Sequence, residues 1–335
     1  MKKRVLQVAI AVFIVLMGAP LLTAAPLSVG VFVPGVAAGS PLYEQMVNAA
    51  QKVAQDNPNL TVKVVEGGFN QGDWPEKVTS MVAAGYDIIL TSNPSLPGIC
   101  QDVAKNFPNQ KFIIMDSGVT TGIPNFYTFM YNQVEQGYIA GYLAALMTKN
   151  KMPGGLKVGA IVAQEYPALN KEMIPGYQQG AQAVNPKFTL DYRVIGNWYD
   201  ANKAGDLANS MMDAGVNVIL AIAGGASQGI IKAAQSRGKY VIYFDSDQYA
   251  IAPGTIIGCV TLDQYKAVTD ALTKALNGTL PFGTAVIVNA KDGYVDLADT
   301  NPLYTNNVPA AVRNQMNVVM KKFRTGGFSL PIPQL

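Results

Sequence analysis

Short apolar runs alternate with helical segments along almost the whole chain, and this alternation restricts the fold more than any other feature. Leu27 to Val33 reads as a strand closed by Pro34-Gly35, and Leu42 to Ala54 follows with apolar residues at helical spacing. Thr61 to Val65 is β-branched, and Glu76 to Ala84 is helical and stops at Gly85. Asp87 to Leu90, Lys111 to Met115 and Phe126 to Met130 are further strands. The pattern then restarts with a helix over Glu135–Met147 and a strand over Lys157–Val162. A helix over Lys171–Val184, interrupted early by Pro175, comes next, then a strand over Thr189–Val194, a helix over Lys203–Ala214 and a strand over Val216–Ala221. Apolar runs with no polar alternation are buried on both faces, which predicts parallel sheets covered by helices on each side. At 335 residues the chain exceeds what one core usually serves, so two such α/β lobes are expected.

Two segments match in layout. Asp87-Ile-Ile-Leu leads through a Pro/Gly loop and a helix to Phe112-Ile-Ile-Met-Asp116-Ser117. Asn217-Val-Ile-Leu leads through a Gly-rich loop and a helix to Val241-Ile-Tyr-Phe-Asp245-Ser246. In open parallel sheets ligands bind beyond the carboxyl ends of the strands, where Asp116 and Asp245 both fall. Two lobes face to face would bring both carboxylates to one cleft. A carboxylate accepts several hydrogen bonds and can hold adjacent ligand hydroxyls. Each aspartate also reads as a strand-end cap, and paired carboxylates also suit an exported α/β hydrolase acting on a glycosidic bond.

Aromatic residues stand in the loops after strands: Tyr43, Trp74 in Asn70-Gln71-Gly72-Asp73-Trp74, and Trp198 after Gly196-Asn197. Tyr131 ends a strand near the expected lobe junction. Flat rings in such places stack on planar ligands. Ala223-Gly224-Gly225 precedes a helix, so its backbone can approach a ligand, although the dinucleotide-binding glycine order is absent.

The absence of histidine removes Ser-His-Asp and Cys-His catalysis and zinc sites that need imidazole, so binding without turnover is expected and no cofactor is implied. Cys100 and Cys259 lie in no motif and read as two buried thiols. Residues 1–25 look like an export signal: Lys2, Lys3 and Arg4 precede an apolar run to Met17, and Leu22-Thr23-Ala24-Ala25 supplies small residues for cleavage. Ala25 stands where a lipoprotein would need cysteine, so a soluble periplasmic or secreted protein with no lipid anchor is expected. Removing the signal leaves 25 − 3 = 22 basic against 22 acidic residues, a neutral balance that argues against nucleic acid as partner.

Gly141-Tyr-Leu-Ala-Ala-Leu-Met147, Ala223-Gly-Gly with its following helix, and above all Val241-Ile-Tyr-Phe-Asp-Ser-Asp-Gln248 carry a resemblance to the basic-membrane-protein family of ABC-transporter substrate-binding proteins. That family includes a purine-nucleoside receptor. The resemblance implies a two-lobed type I periplasmic-binding fold with three crossovers and the ligand in the hinge cleft. Its lobes would comprise residues 26–131 with 262–285, and 132–261 with 286–335. It implies a monomer that delivers a small molecule to an ABC permease in the inner membrane, in an import rather than a signalling role that the sequence itself does not separate. By position, Asp116 and Asp245 match the family's hydroxyl-gripping acids, Trp198 a stacking phenylalanine and Gly224 a backbone contact. The family's Asp-Lys-Ser-Phe-Asn loop is here Ser40-Pro41-Leu42-Tyr43-Glu44, and a base-contacting lysine is Leu262. Phe32-Val-Pro-Gly, Gly39-Ser-Pro-Leu-Tyr-Glu and Phe69-Asn-Gln-Gly-Asp-Trp74 are instead similar to the riboflavin-binding branch. The resulting expectation is riboflavin, with a purine nucleoside as the alternative.

Overall fold

The computed structural model describes residues 26–118 and 122–332; the expected signal segment 1–25 lies outside the described residues. The first run of elements is β1 (Leu27–Val33), α1 (Pro41–Asp56), β2 (Leu60–Glu66), α2 (Trp74–Ala83), β3 (Ile88–Ser92), α3 (Leu96–Ala104), β4 (Lys111–Met115) and β5 (Phe126–Tyr131). The second run is α4 (Gln133–Lys151), β6 (Lys157–Val162), α5 (Ile174–Val184), β7 (Thr189–Val194), α6 (Ala201–Asp213), β8 (Val218–Ile222), α7 (Ser227–Ser236), β9 (Tyr240–Asp245) and β10 (Ile256–Leu262). The chain then returns through α8 (Gln264–Leu276) and β11 (Thr284–Val288), and finishes with β12 (Val295–Leu297), α9 (Pro302–Asn307) and α10 (Ala310–Arg324).

These strands form two six-stranded sheets, ordered β11-β5-β4-β3-β1-β2 and β12-β10-β9-β8-β6-β7. Every pairing is parallel except β10 with β12. Strands such as β3 and β8 are buried at every position, as apolar runs between two helical layers must be. The sequence reading of a two-lobed α/β fold therefore holds, with strand-for-strand correspondence between the lobes.

Three connections pass between the sheets: β5 to α4, β10 to α8, and β11 to β12. The expected boundaries shift slightly. Leu262, assigned to the first lobe, is the last residue of β10 and pairs with Val295 in the second sheet. The return expected after residue 285 falls inside β11, which stays paired to β5 as far as Val288. Pairing to a neighbour, rather than the run of apolar residues, decides where a strand ends. The connections are tied to one another. The Asn132 backbone N–H donates to the Val288 carbonyl at 2.8 Å, and its side chain donates to Asn289 at 2.8 Å and to the Leu330 carbonyl at 2.8 Å.

The helix expected from Lys171 begins with a π-helical turn, Leu169–Met173, before α5, and Pro175 sits in the first turn, where its missing N–H is tolerated. Helices α4 and α5 approach through glycine on both sides. A Cβ on Gly141 would overlap the Tyr177 carbonyl, and one on Gly180 would overlap the Tyr138 carbonyl. Cys100 in α3 and Cys259 in β10 are free and buried. Burial pushes both thiols up, Cys259 to about 12, which keeps them inert. Among the described residues no helix is long and apolar enough to cross a membrane.

Candidate ligand-binding site

Both aspartates stand where the topology places a site. Asp116 directly follows β4 and Asp245 ends β9, the equivalent strand of the other lobe. Both have left-handed backbones, with φ of 44° and 70°. Among the described residues the only other non-glycine with positive φ is Asn93 after β3, at 133°. Such conformations are unfavourable for residues with a Cβ and concentrate at functional sites. Here they turn strand ends so that side chains face the cleft.

The two carboxylates are close enough that each is felt electrostatically by the same neighbours. Burial raises Asp116 to about 6, against a hydrogen bond from Gln133 that lowers it. Asp245 is raised well above the usual carboxylate range, by burial first and then by the Asp116 charge. Among the described residues none of the ion pairs reaches either group. Neutral amides hold them instead: Gln133 Nε2 donates to Asp116 Oδ1 at 3.3 Å, and Gln136 Nε2 donates to Asp245 Oδ1 at 3.2 Å.

Two tyrosines, one from each lobe, complete the centre. Tyr43 is half-buried in the first turn of α1, and its hydroxyl accepts from Asn93 Nδ2 at 3.0 Å. Tyr166, in the loop after β6, is raised well above its ordinary value by burial, then by Asp116, Asp245 and Tyr43. That shared influence places it at the same centre. Trp198, after β7, is half-buried. Its Nε1 donates to Gln164 Oε1 at 3.0 Å, and a Cβ on Gly224 would lie 3.3 Å from its ring. Gly224, with φ of 52°, thus gives the indole room to lie against the backbone.

The expected site residues do not all come together. Asp116, Asp245, Tyr43, Trp198 and Gly224 gather at the strand ends. Trp74 does not: it is 3% exposed, packs edge-on to Phe32 at 6.5 Å, and its Nε1 donates to the Gly68 carbonyl at 3.0 Å. The reason is local. The short turn Gln71–Asp73 makes Trp74 the first residue of α2, where it shares an inward stripe with Val78, Met81 and Val82. Tyr131 is fully buried behind the aspartates, its hydroxyl 3.4 Å from Gln264 Oε1. Asn93, Gln133, Gln136, Tyr166 and Glu172 escaped the sequence reading. Tyr166 had a usable signal, since it follows the first strand of its lobe as Tyr43 does. Leu262, which stands where the family has a base-contacting lysine, is 1% exposed and packed in the hydrophobic core.

Comparison with known proteins identifies the family. Residues 27–325 match the family model for Bmp, described as ABC transporter substrate-binding protein PnrA-like. The chain belongs to the Bmp family. Among curated Bmp-like relatives, the ABC transporter nucleoside-binding protein BmpA of Lactococcus lactis is 28% identical over 246 residues, 68% of this chain and 68% of its own. A purine-binding protein of Brucella abortus is 28% identical over 212 residues, 61% of this chain and 58% of its own. A solved ABC-transporter solute-binding protein from Aeropyrum pernix shares the Bmp chain's fold with a TM-score of 0.78 at 21% identity, over 92% of this chain and 94% of the other.

Proposed function

We propose that this protein captures a purine nucleoside outside the cytoplasmic membrane and delivers it to an ABC permease without altering it. The carrying observation is a pair of half-buried carboxylates, Asp116 and Asp245, contributed by equivalent strand ends of opposite lobes and joined to no cation among the described residues. Carboxylates without cation partners are satisfied by hydrogen-bond donors, and vicinal ribose hydroxyls supply two of them. Tyr43, Tyr166 and Trp198 provide the faces for a planar base. The nucleoside- and purine-binding relatives support this reading over the riboflavin expected from sequence. So does the burial of Trp74, Phe32 and Leu262, residues on which the riboflavin expectation leaned.

Isothermal titration of ligand-stripped protein with guanosine, adenosine, inosine and riboflavin tests the reading. Nucleoside binding at micromolar or tighter affinity is expected, and Asp245→Ala should weaken it by roughly 2 kcal/mol, the loss of charge-assisted hydrogen bonds. Riboflavin binding with quenched flavin fluorescence and no response to any nucleoside would reverse the assignment. Release of free base from guanosine during prolonged incubation would replace a binding role with a hydrolytic one.

A further inference from the structure

The first turn of α4 carries three buried polar side chains, Gln133, Glu135 and Gln136, in a helix whose other residues up to Thr148 are nearly all buried too. Glu135 is accounted for. It accepts from the backbone N–H groups of Ala290 at 2.9 Å and Leu330 at 3.3 Å, and so fastens the chain's return to the second lobe. The two glutamines have no such structural partners for their acceptors. Gln133 Oε1 and Gln136 Oε1 are both buried without a partner among the described residues. An unpaired buried acceptor costs about 1–3 kcal/mol, so the amides are held this way by something they donate to. Both donate to a site aspartate, and Gln136 Nε2 also donates to the Val260 carbonyl at 3.2 Å.

We infer that Gln133 and Gln136 are positioning residues that set the orientation of both site carboxylates from a single helix end, Gln133 doing so across the hinge. Asp116 belongs to the first lobe and α4 packs in the second, against α5, β6, β8 and β10. The Gln133–Asp116 bond therefore spans the two lobes, and Gln136–Asp245 lies within one. A rotation of the lobes about the β5–α4 connection moves the two carboxylates relative to each other unless this bond holds. The choice of amide follows from the chemistry. Lysine or arginine would orient a carboxylate equally well but would neutralise it and draw its lone pairs away from ligand donors. An amide fixes the direction and leaves the charge.

The inference rests on the reading of Asp116 and Asp245 as ligand contacts, but its decisive test needs no ligand. The two carboxylates are titrated by carbon-13 NMR in the full protein, with Tyr43, Tyr131, Tyr166 and Glu172 as the other titratable groups that bear on Asp116. Gln133→Met keeps the side-chain length and removes the donor. It should move the Asp116 midpoint upward and leave that of Asp245 no higher, and Gln136→Met should do the converse. Guanosine affinity should fall roughly tenfold in each, the loss of one hydrogen bond to a charged group. Should a methionine variant fail to fold, Gln133→Asn and Gln136→Asn withdraw the donor by one methylene and are judged in the same way. Unmoved midpoints in variants that melt like the parent would overturn the inference. Absence of guanosine binding by the parent protein would count against the nucleoside assignment and leave the titration to decide this one.

Discussion

Helices α4 and α8 occupy equivalent places in the two lobes, and they begin alike. Each follows a connection between sheets, each has an acidic or amide N-cap, and each has glutamine next. Asn132 accepts from the Glu135 N–H at 3.2 Å, and Asp263 accepts from the Lys266 N–H at 2.8 Å. The two glutamines then diverge. Gln264 is fully bonded to neutral groups: its Nε2 donates to the Leu42 carbonyl at 2.9 Å and to Ser92 Oγ at 3.2 Å, and its Oε1 accepts from the Tyr131 hydroxyl at 3.4 Å. Gln133 donates to an aspartate, and its acceptor has no partner among the described residues. One lobe has used the shared layout as a latch, and the other has used it to hold a binding group. The packing differs in the same sense. Helix α8 packs on α1, and the buried residues of the two helices include Ala267, Val268 and Ala271 and Ala49, Ala50 and Val53, whereas α4 meets α5 backbone to backbone through glycine.

The largest effect that would sharpen this contrast is steric. Gly141→Ala drives a methyl into the Tyr177 carbonyl, and no side chain can move aside to receive it. A loss of more than ~3 kcal/mol is expected in urea unfolding. Ala271→Gly at the alanine-lined counterpart should cost only about 1 kcal/mol. Equal losses would mean that the two helix pairs are packed with equal tolerance.

Next in size is the exchange of the glutamines' roles. Gln264→Met strands the Tyr131 hydroxyl in the interior and removes the bonds to the Leu42 carbonyl and Ser92 Oγ, which should lower stability by about 2–4 kcal/mol. Gln133→Met removes a group that already lacks one partner, so its unfolding free energy should change by less than ~1 kcal/mol. Comparable destabilisation by both would erase the distinction between latch and positioning group.

The smallest effect concerns pH. Asp116 at about 6, Glu172 at about 7 and Asp245, raised by burial well above the usual carboxylate range, all bind protons more tightly folded than unfolded. Glu172 is fully buried on the π-helical turn, where burial raises it against the lowering influence of the Gln133 backbone N–H, and among the described residues neither of its oxygens meets the geometry of a full hydrogen bond. Stability from these groups is fully present below the unfolded carboxylate range and is lost as pH rises through the folded values. The melting temperature of ligand-free protein should therefore rise on going from pH 8 to pH 5, with Glu172→Gln flattening the slope. Nucleoside affinity should run the other way and weaken on acidification, because the gripping groups lose their charge. Parallel trends in the two measurements would place the titrating groups elsewhere.

The alternation of strands and helices was legible in sequence because strands buried on both faces are written as unbroken apolar runs. The two aspartates were legible because strand ends in a parallel sheet are where ligands bind. The glutamines were not. A polar residue on a helix is ordinarily read as its wet face, and α4 has none before its last turn, so Gln133 and Gln136 stand out only once the burial of Gln133–Thr148 is known. Trp74 misled for the opposite reason: its polar neighbours suggested a loop, and the stripe Trp74, Val78, Met81 that marks it as core starts at the helix's first residue. The lobe boundary expected after residue 285 falls inside β11 because nothing in Thr284–Val288 names its partner, which lies elsewhere in the chain.

That last strand governs how the chain can fold. Thr284 pairs with Tyr127, 284 − 127 = 157 residues earlier, so the first sheet keeps an unfilled edge until nearly the whole polypeptide is available. Neither lobe is a unit that can be finished in order of synthesis. Pairings of such separation make folding slow and close both sheets in one late step, leaving the β5 edge open to wrong partners until then. A chain built this way reaches its native state only after its last quarter is released.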